Sequence, residues 1–317
     1  MNQVSDNGQN QTAERVQTAE GCSWIARYWQ PTENKQVECL LCPHHCRINP
    51  GRTGLCLARK NENGRLLAES YGRVTSLSLD PIEKKPLRFF YPGSHILSVG
   101  LYGCNFRCGF CQNWSIAQRK APYQMILPDK MADLAEQEKS RGNIGLAYTY
   151  NEPLVGFEYV LDCARLIHQK KMKNVLVTNG SINHDPLEEL LPLIDAMNID
   201  LKAWQPGFYQ TVCRGELKPV LETIRRSAAS CHIEITTLLI PGMNDQAGDI
   251  DALAAWLADI DPDIPLHLTR HHPDYQMPEP PPIDLRRMTL LAEVAGKHLK
   301  KVLLGNVPES YISSGMI

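Results

Sequence analysis

From Ser94 onward, short apolar runs alternate with stretches whose apolar positions recur at helical spacing. Strands are predicted over Ile96–Leu101, Ile144–Thr149, Asn174–Thr178, Ala196–Asp200, His232–Leu239, Leu266–Leu268 and Lys301–Leu304. Helices are predicted between them, over Lys130–Lys139, Val155–Gln169, Pro186–Asp195, Val220–Ser230, Ile250–Asp259 and Leu285–Lys297. Short continuous apolar runs bounded by turn residues read as strands buried on both faces. Their alternation with helices implies an α/β fold, a parallel sheet with helices outside. Doubly wound sheets and closed or partial barrels share this pattern, and periodicity does not separate them. His271 to Pro282 holds five prolines and reads as an irregular loop over the sheet.

Upstream the pattern is different. Met1 to Glu20 is rich in Gln, Asn, Thr and Ser, without the basic and apolar regions of a secretory signal, and is expected to be a disordered tail. The aromatic-rich segment Cys22 to Gln30, with Trp24, Tyr28 and Trp29, is predicted to make one or two helical turns before Pro31. Two strand-like runs, Arg65–Glu69 and Arg73–Leu79, precede a two-proline loop from Asp80 to Leu87. In that loop the Lys84/Lys85 pair reads as a solvated turn or, functionally, as a contact to a cofactor or partner. The chain thus divides into a tail (1–21), a Cys-rich metal-binding module (22–63) and an α/β core with a C-terminal extension (64–317).

Composition changes this picture in two respects. With 43% hydrophobic and 21% charged residues in 317, a large buried core is expected. A net charge of −2 and no basic stripe argue against nucleic acid; Arg225/Arg226 and Arg286/Arg287 read as solvated helix faces. No apolar run reaches the roughly 18 residues of a membrane span. Eleven cysteines without an export signal point to metal in a reducing cytoplasm.

Seven of those cysteines form two groups. Cys104, Cys108 and Cys111 follow the first predicted strand as C-x3-C-x2-C, a loop too short to hold three thiols apart. A structural zinc site takes four protein ligands; three thiolates leave a shared metal centre open. A zinc loop completed by a remote ligand, or three inert buried cysteines, are the plainer alternatives. The second group is C-x2-C-x3-C-x9-C, Cys39, Cys42, Cys46 and Cys56, on turn-rich sequence. It fits a closed tetrahedral zinc, with a second iron-sulfur cluster or free thiols as competitors. His44 and His45 are then expected to hydrogen-bond behind the ligands. Cys163 and Cys231 read as small core residues.

In parallel sheets, ligands sit at the carboxyl ends of the strands. Those ends carry the cysteine loop, Tyr148-Thr149-Tyr150-Asn151-Glu152-Pro153, Thr178-Asn179-Gly180-Ser181, Asp200-Leu201-Lys202, Ile240-Pro241-Gly242, and His267 with Arg270, His271 and His272. Single ends of this kind are ordinary turns; in succession they form one polar rim. Lys202 and Glu152 are suited to a carboxylate and an ammonium, or to local salt bridges. His267, Tyr148 and Tyr150 also read as core residues.

The cysteine loop closely resembles the signature of the radical S-adenosylmethionine (radical SAM) superfamily. From about Cys39 to Pro308 the chain looks like the members related to pyruvate formate-lyase activating enzyme. The branch it most resembles is the AmmeMemoRadiSam-system radical SAM enzyme. Its marks are Cys39-Leu40-Leu41-Cys42-Pro43-His44-His45-Cys46, Glu83-Lys84-Lys85-Pro86-Leu87, Tyr91-Pro92-Gly93, Gly103-Cys104-Asn105-Phe106-Arg107-Cys108, Cys111-Gln112-Asn113, Tyr148 to Pro153, and Gly305-Asn306. The resemblance implies a partial (βα)6 barrel and a [4Fe-4S] cluster on Cys104, Cys108 and Cys111 whose open iron chelates SAM. It implies cofactor contacts from Asn151, Glu152, Thr178, Asn179, Asp200, Lys202, Ile240, Pro241 and His267. The superfamily's usual Gly-Gly-Glu reads Tyr150-Asn151-Glu152 here. The implied reaction is reductive cleavage of SAM to methionine and a 5′-deoxyadenosyl radical, which takes hydrogen from a substrate. A flavodoxin- or ferredoxin-type electron donor is implied. The activase likeness suggests a glycine of a partner protein as substrate. A small-molecule substrate and a non-enzymatic iron-sulfur or zinc protein are the alternatives.

Overall fold

The computed structural model describes residues 13–18 and 21–308. Its centre is an eight-stranded sheet: β1 (Ser76–Pro81), β2 (His95–Gly100), β3 (Asn143–Tyr148), β4 (Lys173–Thr178), β5 (Ala196–Asp200), β6 (His232–Leu239), β7 (Leu266–Arg270) and β8 (Val302–Gly305). The strands lie side by side in chain order. β1 runs antiparallel to β2, and every later neighbour is parallel. Among the described residues β1 and β8 do not pair with each other, so the sheet is an open, partial barrel. In register, Val99, Tyr148, Leu176 and Met197 stand side by side across β2 to β5. These strands are buried along nearly their whole length, as their continuous apolar runs require.

Among the described residues, six helices of seven or more residues pack outside: α1 (Pro128–Gln137), α2 (Phe157–Gln169), α3 (His184–Leu190), α4 (Leu217–Ala228), α5 (Ala247–Ala258) and α6 (Leu285–Ala295). α1 buries Met131, Ala132 and Ala135, one face at helical spacing. The helix expected over Pro186–Asp195 ends instead at Leu190, and Leu191–Leu193 is a 3-10 turn. Pro192 lacks the N–H that would continue it.

The N-terminal part is built of small antiparallel pieces. Trp29–Pro31, Val37–Cys39 and Arg47–Ile48 form one sheet, and Arg59–Glu62 and Arg65–Ala68 form a hairpin. The helical turns expected over Cys22 to Gln30 are absent. Gly21–Trp24 pairs with Arg15–Thr18, and Trp29–Pro31 pairs with Val37–Cys39. Trp24 stacks on Tyr71 with ring centroids 4.4 Å apart, and Tyr28 has φ +53°. Aromatic residues favour the half-buried surface of a strand, and a left-handed residue interrupts a helix. Ordered structure therefore begins inside the stretch expected to be a tail; residues 1–12, 19 and 20 lie outside the described residues. The boundary expected between 63 and 64 falls in the turn of the Arg59–Glu62/Arg65–Ala68 hairpin.

Module and core are joined by charge. Arg59 Nη2 lies 2.5 Å from Glu158 Oε1 of α2, both side chains 1% exposed, and the same oxygen accepts the Arg27 amide at 2.6 Å. Removing one partner of such a pair costs about 3–5 kcal/mol. Lys85 is likewise no solvated turn residue. It is 2% exposed and donates to Asp80 Oδ2 at 2.7 Å, because β1 runs through Pro81 and folds the following 3-10 turn, Ile82–Lys84, back over Asp80. Only its neighbour Lys84 stands largely in solvent. Among the described residues no helix is long and apolar enough to cross a membrane.

Candidate active site

The carboxyl ends of the strands enclose a cavity of about 300 Å³. Cys104, Cys108 and Cys111 line it from the loop after β2. Gly103, at φ +98°, turns the chain into that loop, and a Cβ there would stand 2.3 Å from the Cys56 carbonyl oxygen. Asn105 Nδ2 donates to the Ser181 carbonyl at 2.7 Å, and the Arg107 amide donates to the Cys213 carbonyl at 2.7 Å. All three cysteines are free thiols. Burial, then the neighbouring Glu152 charge, pushes Cys104 well up, and burial with Cys108 pushes Cys111 up to about 11. Such thiols wait for a cation before they ionise.

Glu152 is the hub of the opposite wall. It is 4% exposed, and its Oε1 accepts from Thr178 Oγ1 at 2.7 Å and the Leu154 amide at 3.1 Å. Oε2 accepts from the Asn179 amide at 2.7 Å. Burial pushes its carboxyl up to about 7, while the Asn179, Thr178 and Leu154 donors pull toward the ionised form. A cation arriving in the cavity would tip that balance to the carboxylate. Asn179 Nδ2 also donates to Asn105 Oδ1 at 2.8 Å, tying the end of β4 to the cysteine loop. The Asn151 side chain lines the cavity yet is committed to backbone: it accepts from the Leu101 amide at 3.0 Å and donates to the Gly103 carbonyl at 3.0 Å.

Asp200, the last residue of β5, and Lys202 just beyond it line the third side, with Nζ 2.8 Å from Asp200 Oδ2. Burial opposes the Lys202 charge, but the Asp200 carboxylate outweighs it and holds the ammonium. The cavity thus presents an anion-seeking group and a cation-seeking group beside three thiols.

The other expected contacts are placed elsewhere. Ile240 is fully buried with its amide on Asn244 Oδ1 at 2.7 Å, and neither it nor Pro241 lines the cavity. His267 lies within the barrel with Nε2 2.6 Å from Glu234 Oε2; Thr269, two residues further along β7, reaches the cavity instead. Glu234 Oε1 and Oε2 also accept the Phe89 and Arg88 amides at 2.8 and 3.0 Å, which ties the 86–89 segment to β6. Tyr148 is a core residue bonded to Asn174 Oδ1 at 3.0 Å. Gln118, Thr236 and Leu238 line the cavity without having been singled out; Pro86 and Asn306, named only as marks of the resemblance, line it too. Thr236 and Leu238 had a signal, the inward alternation of β6. Cys213, buried beside Cys108, had none, because that contact joins distant segments.

The residues present suit an iron-sulfur cluster with one iron left for a ligand. Among the described residues no three His, Cys, Asp or Glu side chains are arranged as a closed metal site. The fit rests on donor chemistry: three thiols of one loop at a cavity wall, one protein ligand short of closure.

The family model of the radical SAM superfamily matches residues 99–255. An uncharacterised protein of Methanocaldococcus jannaschii is 39% identical over 289 residues, covering 89% of this chain and 85% of that one. The chain belongs to the radical SAM superfamily. A second protein of that archaeon, whose name provisionally places it among glycyl-radical enzyme activating enzymes, is 29% identical over 175 residues. That match covers 53% of this chain and 64% of the other. The Streptococcus suis SuiB crystal structure superposes with a TM-score of 0.52 at 13% identity, covering 69% of this chain and 50% of SuiB, which is a likeness of fold. As a radical SAM protein, the chain is expected to carry a [4Fe-4S] cluster and SAM where Cys104, Cys108 and Cys111 meet the cavity.

Proposed function

We propose that this radical SAM enzyme reductively cleaves S-adenosylmethionine and abstracts hydrogen from a residue of a partner protein, as glycyl-radical enzyme activases do. Cys104, Cys108 and Cys111 would hold the cluster, which would supply the electron for reductive cleavage of SAM to methionine and a 5′-deoxyadenosyl radical. Glu152 receives the SAM ammonium and Lys202 its carboxylate, each as a charge-assisted contact. Thr178 and Asn179 hold Glu152 in place, Asn151 fixes the loop that carries it, and Asp200 orients Lys202. Ile240, Pro241 and His267 support the wall from behind rather than from the cavity surface. A reducing donor of the flavodoxin or ferredoxin type delivers the electron.

The observation that carries the substrate class is size. A cavity of about 300 Å³ is at the lower end of small-molecule sites, and the cluster and SAM together would fill it. A substrate must then enter from the mouth, which suits a protein loop. The relative named as a glycyl-radical enzyme activating enzyme supports this reading.

Anaerobic reconstitution with iron and sulfide, reduction, and assay for 5′-deoxyadenosine test the core of the reading. The wild type is expected to release the nucleoside and Cys108→Ala to release none. Persistence of the nucleoside in Cys108→Ala would sink the cluster assignment. A wild type that turns over freely on an added small metabolite, and equally without any protein, would favour the small-molecule alternative.

A further inference from the structure

The four cysteines of the N-terminal module have no part in that chemistry, yet they converge. Cys39 ends the middle strand of the small sheet, Cys42 and Cys46 sit in the turn that follows, and Cys56 comes from the loop after Arg47–Ile48. The Cys39 amide donates to the Cys46 carbonyl at 3.0 Å and the His45 amide to the Cys42 carbonyl at 3.2 Å, which closes the turn. All four line one pocket, and none is in a disulfide. That pocket measures about 10 Å³, against about 300 Å³ for the cluster cavity. The smaller space is on the order of one water-sized sphere. That is the scale of a single ion rather than of a multi-iron cluster.

His44, the nearest competing ligand, is already used: its Nε2 lies 2.7 Å from the Asn105 carbonyl oxygen. Asn105 is the residue after Cys104, so the four-cysteine turn bears directly on the cluster loop. A second contact runs from Arg107 Nη2 to the Leu55 carbonyl, and Gly103 abuts the Cys56 carbonyl. On the other side, the Asn183 amide and Nδ2, at the start of α3, donate to the Leu41 and Leu40 carbonyls at 3.0 and 2.8 Å. The module therefore touches both the cluster loop and the segment between β4 and α3.

We infer that Cys39, Cys42, Cys46 and Cys56 bind one zinc ion, a closed four-thiolate site that braces the cluster loop. No three of the thiols are closed to the spacing of a bound ion here, and protonated thiols have no cause to be. Four thiolates leave no open position, so the ion is structural. It holds Cys42 and Cys56 together, and through His44 and Leu55 it fixes Asn105 and Arg107, which flank Cys104 and Cys108.

Metal analysis of the anaerobically purified, reconstituted protein decides the assignment. About one zinc and about four irons per chain are expected. Cys42→Ser with Cys46→Ser should lose the zinc more than tenfold while retaining the irons and their visible absorbance. About eight irons without zinc would overturn the proposal in favour of a second cluster; wild type with neither metal at this site would overturn it outright. Where the double variant fails to fold, cobalt replacement of the zinc in the wild type gives the same decision. Intense sulfur-to-cobalt bands with tetrahedral d–d absorption support four-thiolate ligation, and their absence overturns it. For the brace, hydrogen exchange of residues 103–108 should quicken at least tenfold on zinc loss, with α6 unchanged. Unchanged exchange at 103–108 would show the ion to be local to the module and overturn the brace.

Discussion

The Tyr150 hydroxyl donates to Asp80 Oδ2 at 2.5 Å, and Lys85 donates to the same oxygen at 2.7 Å while its ammonium lies 4.6 Å from the Tyr150 ring centroid. Tyr150 has φ +69°, a conformation that side chains rarely adopt. It stands where the superfamily motif usually has glycine. The buried Asp80–Lys85 pair thus offsets a backbone strain of roughly 1–3 kcal/mol and keeps Glu152 on the cavity wall. Burial alone would raise Asp80; the hydrogen bonds from Lys85, Tyr150 and Lys84 outweigh it and hold the carboxyl below the usual carboxylate range. Burial, opposed by the Asp80 contact, leaves Lys85 below the ordinary lysine range.

Tyr150→Phe should therefore destabilise the fold by about 1–3 kcal/mol, one lost hydrogen bond to a charged group. Asp80→Ala, which strands the Lys85 ammonium, should cost about 3–5 kcal/mol. Urea titration of both variants checks the order; equal losses would mean that the ion pair contributes nothing beyond the tyrosine contact.

Glu152→Gln should weaken SAM binding by about 10-fold or more, since a charge-assisted contact becomes a neutral one. The amide must also turn an NH2 toward either Asn179 N–H or the Thr178 hydroxyl, both of which now donate to the carboxylate. Equilibrium binding of SAM to the reconstituted protein reads this directly. An unchanged Kd would remove Glu152 from the ammonium contact.

Gly103→Ala should lower iron content without touching a cysteine. The added Cβ would stand 2.3 Å from the Cys56 carbonyl oxygen, on backbone at φ +98°. The loop must move, and Cys104 moves with it. Iron analysis after reconstitution is expected to fall well below the wild type; full occupancy would show that the loop yields at no cost to the cluster.

Acid stability should depend on Glu234. Burial alone would raise its carboxyl, but hydrogen bonds from His232 and His267 and from the Phe89 and Arg88 amides lower it to about 2. An unfolded glutamate titrates near about 4.3. The folded value is depressed, so this contribution is fully present above about 4.3 and disappears as pH falls toward 2, about 3 kcal/mol in all. Glu234→Gln should be less stable at pH 7 and flatter between pH 5 and 3 in thermal melts. Parallel profiles would place the acid sensitivity elsewhere.

Much of this was legible in the chain. The strand–helix alternation settles a parallel α/β sheet, because strands buried on both faces must be apolar throughout and crossovers need helices. The C-x3-C-x2-C spacing brings three thiols together through chain length alone, and Glu152, Thr178, Asn179, Asp200 and Lys202 are found at the cavity because ligands gather at strand ends. Tertiary structure decided the rest, since it depends on which distant segments touch. Strand or helix at Trp24 was decided by stacking on Tyr71, and the burial of Lys85 by the fold of β1 onto Asp80. The withdrawal of His267 to Glu234, and the contact of Cys213 with Cys108, depend on sheet curvature and packing, which no local spacing encodes.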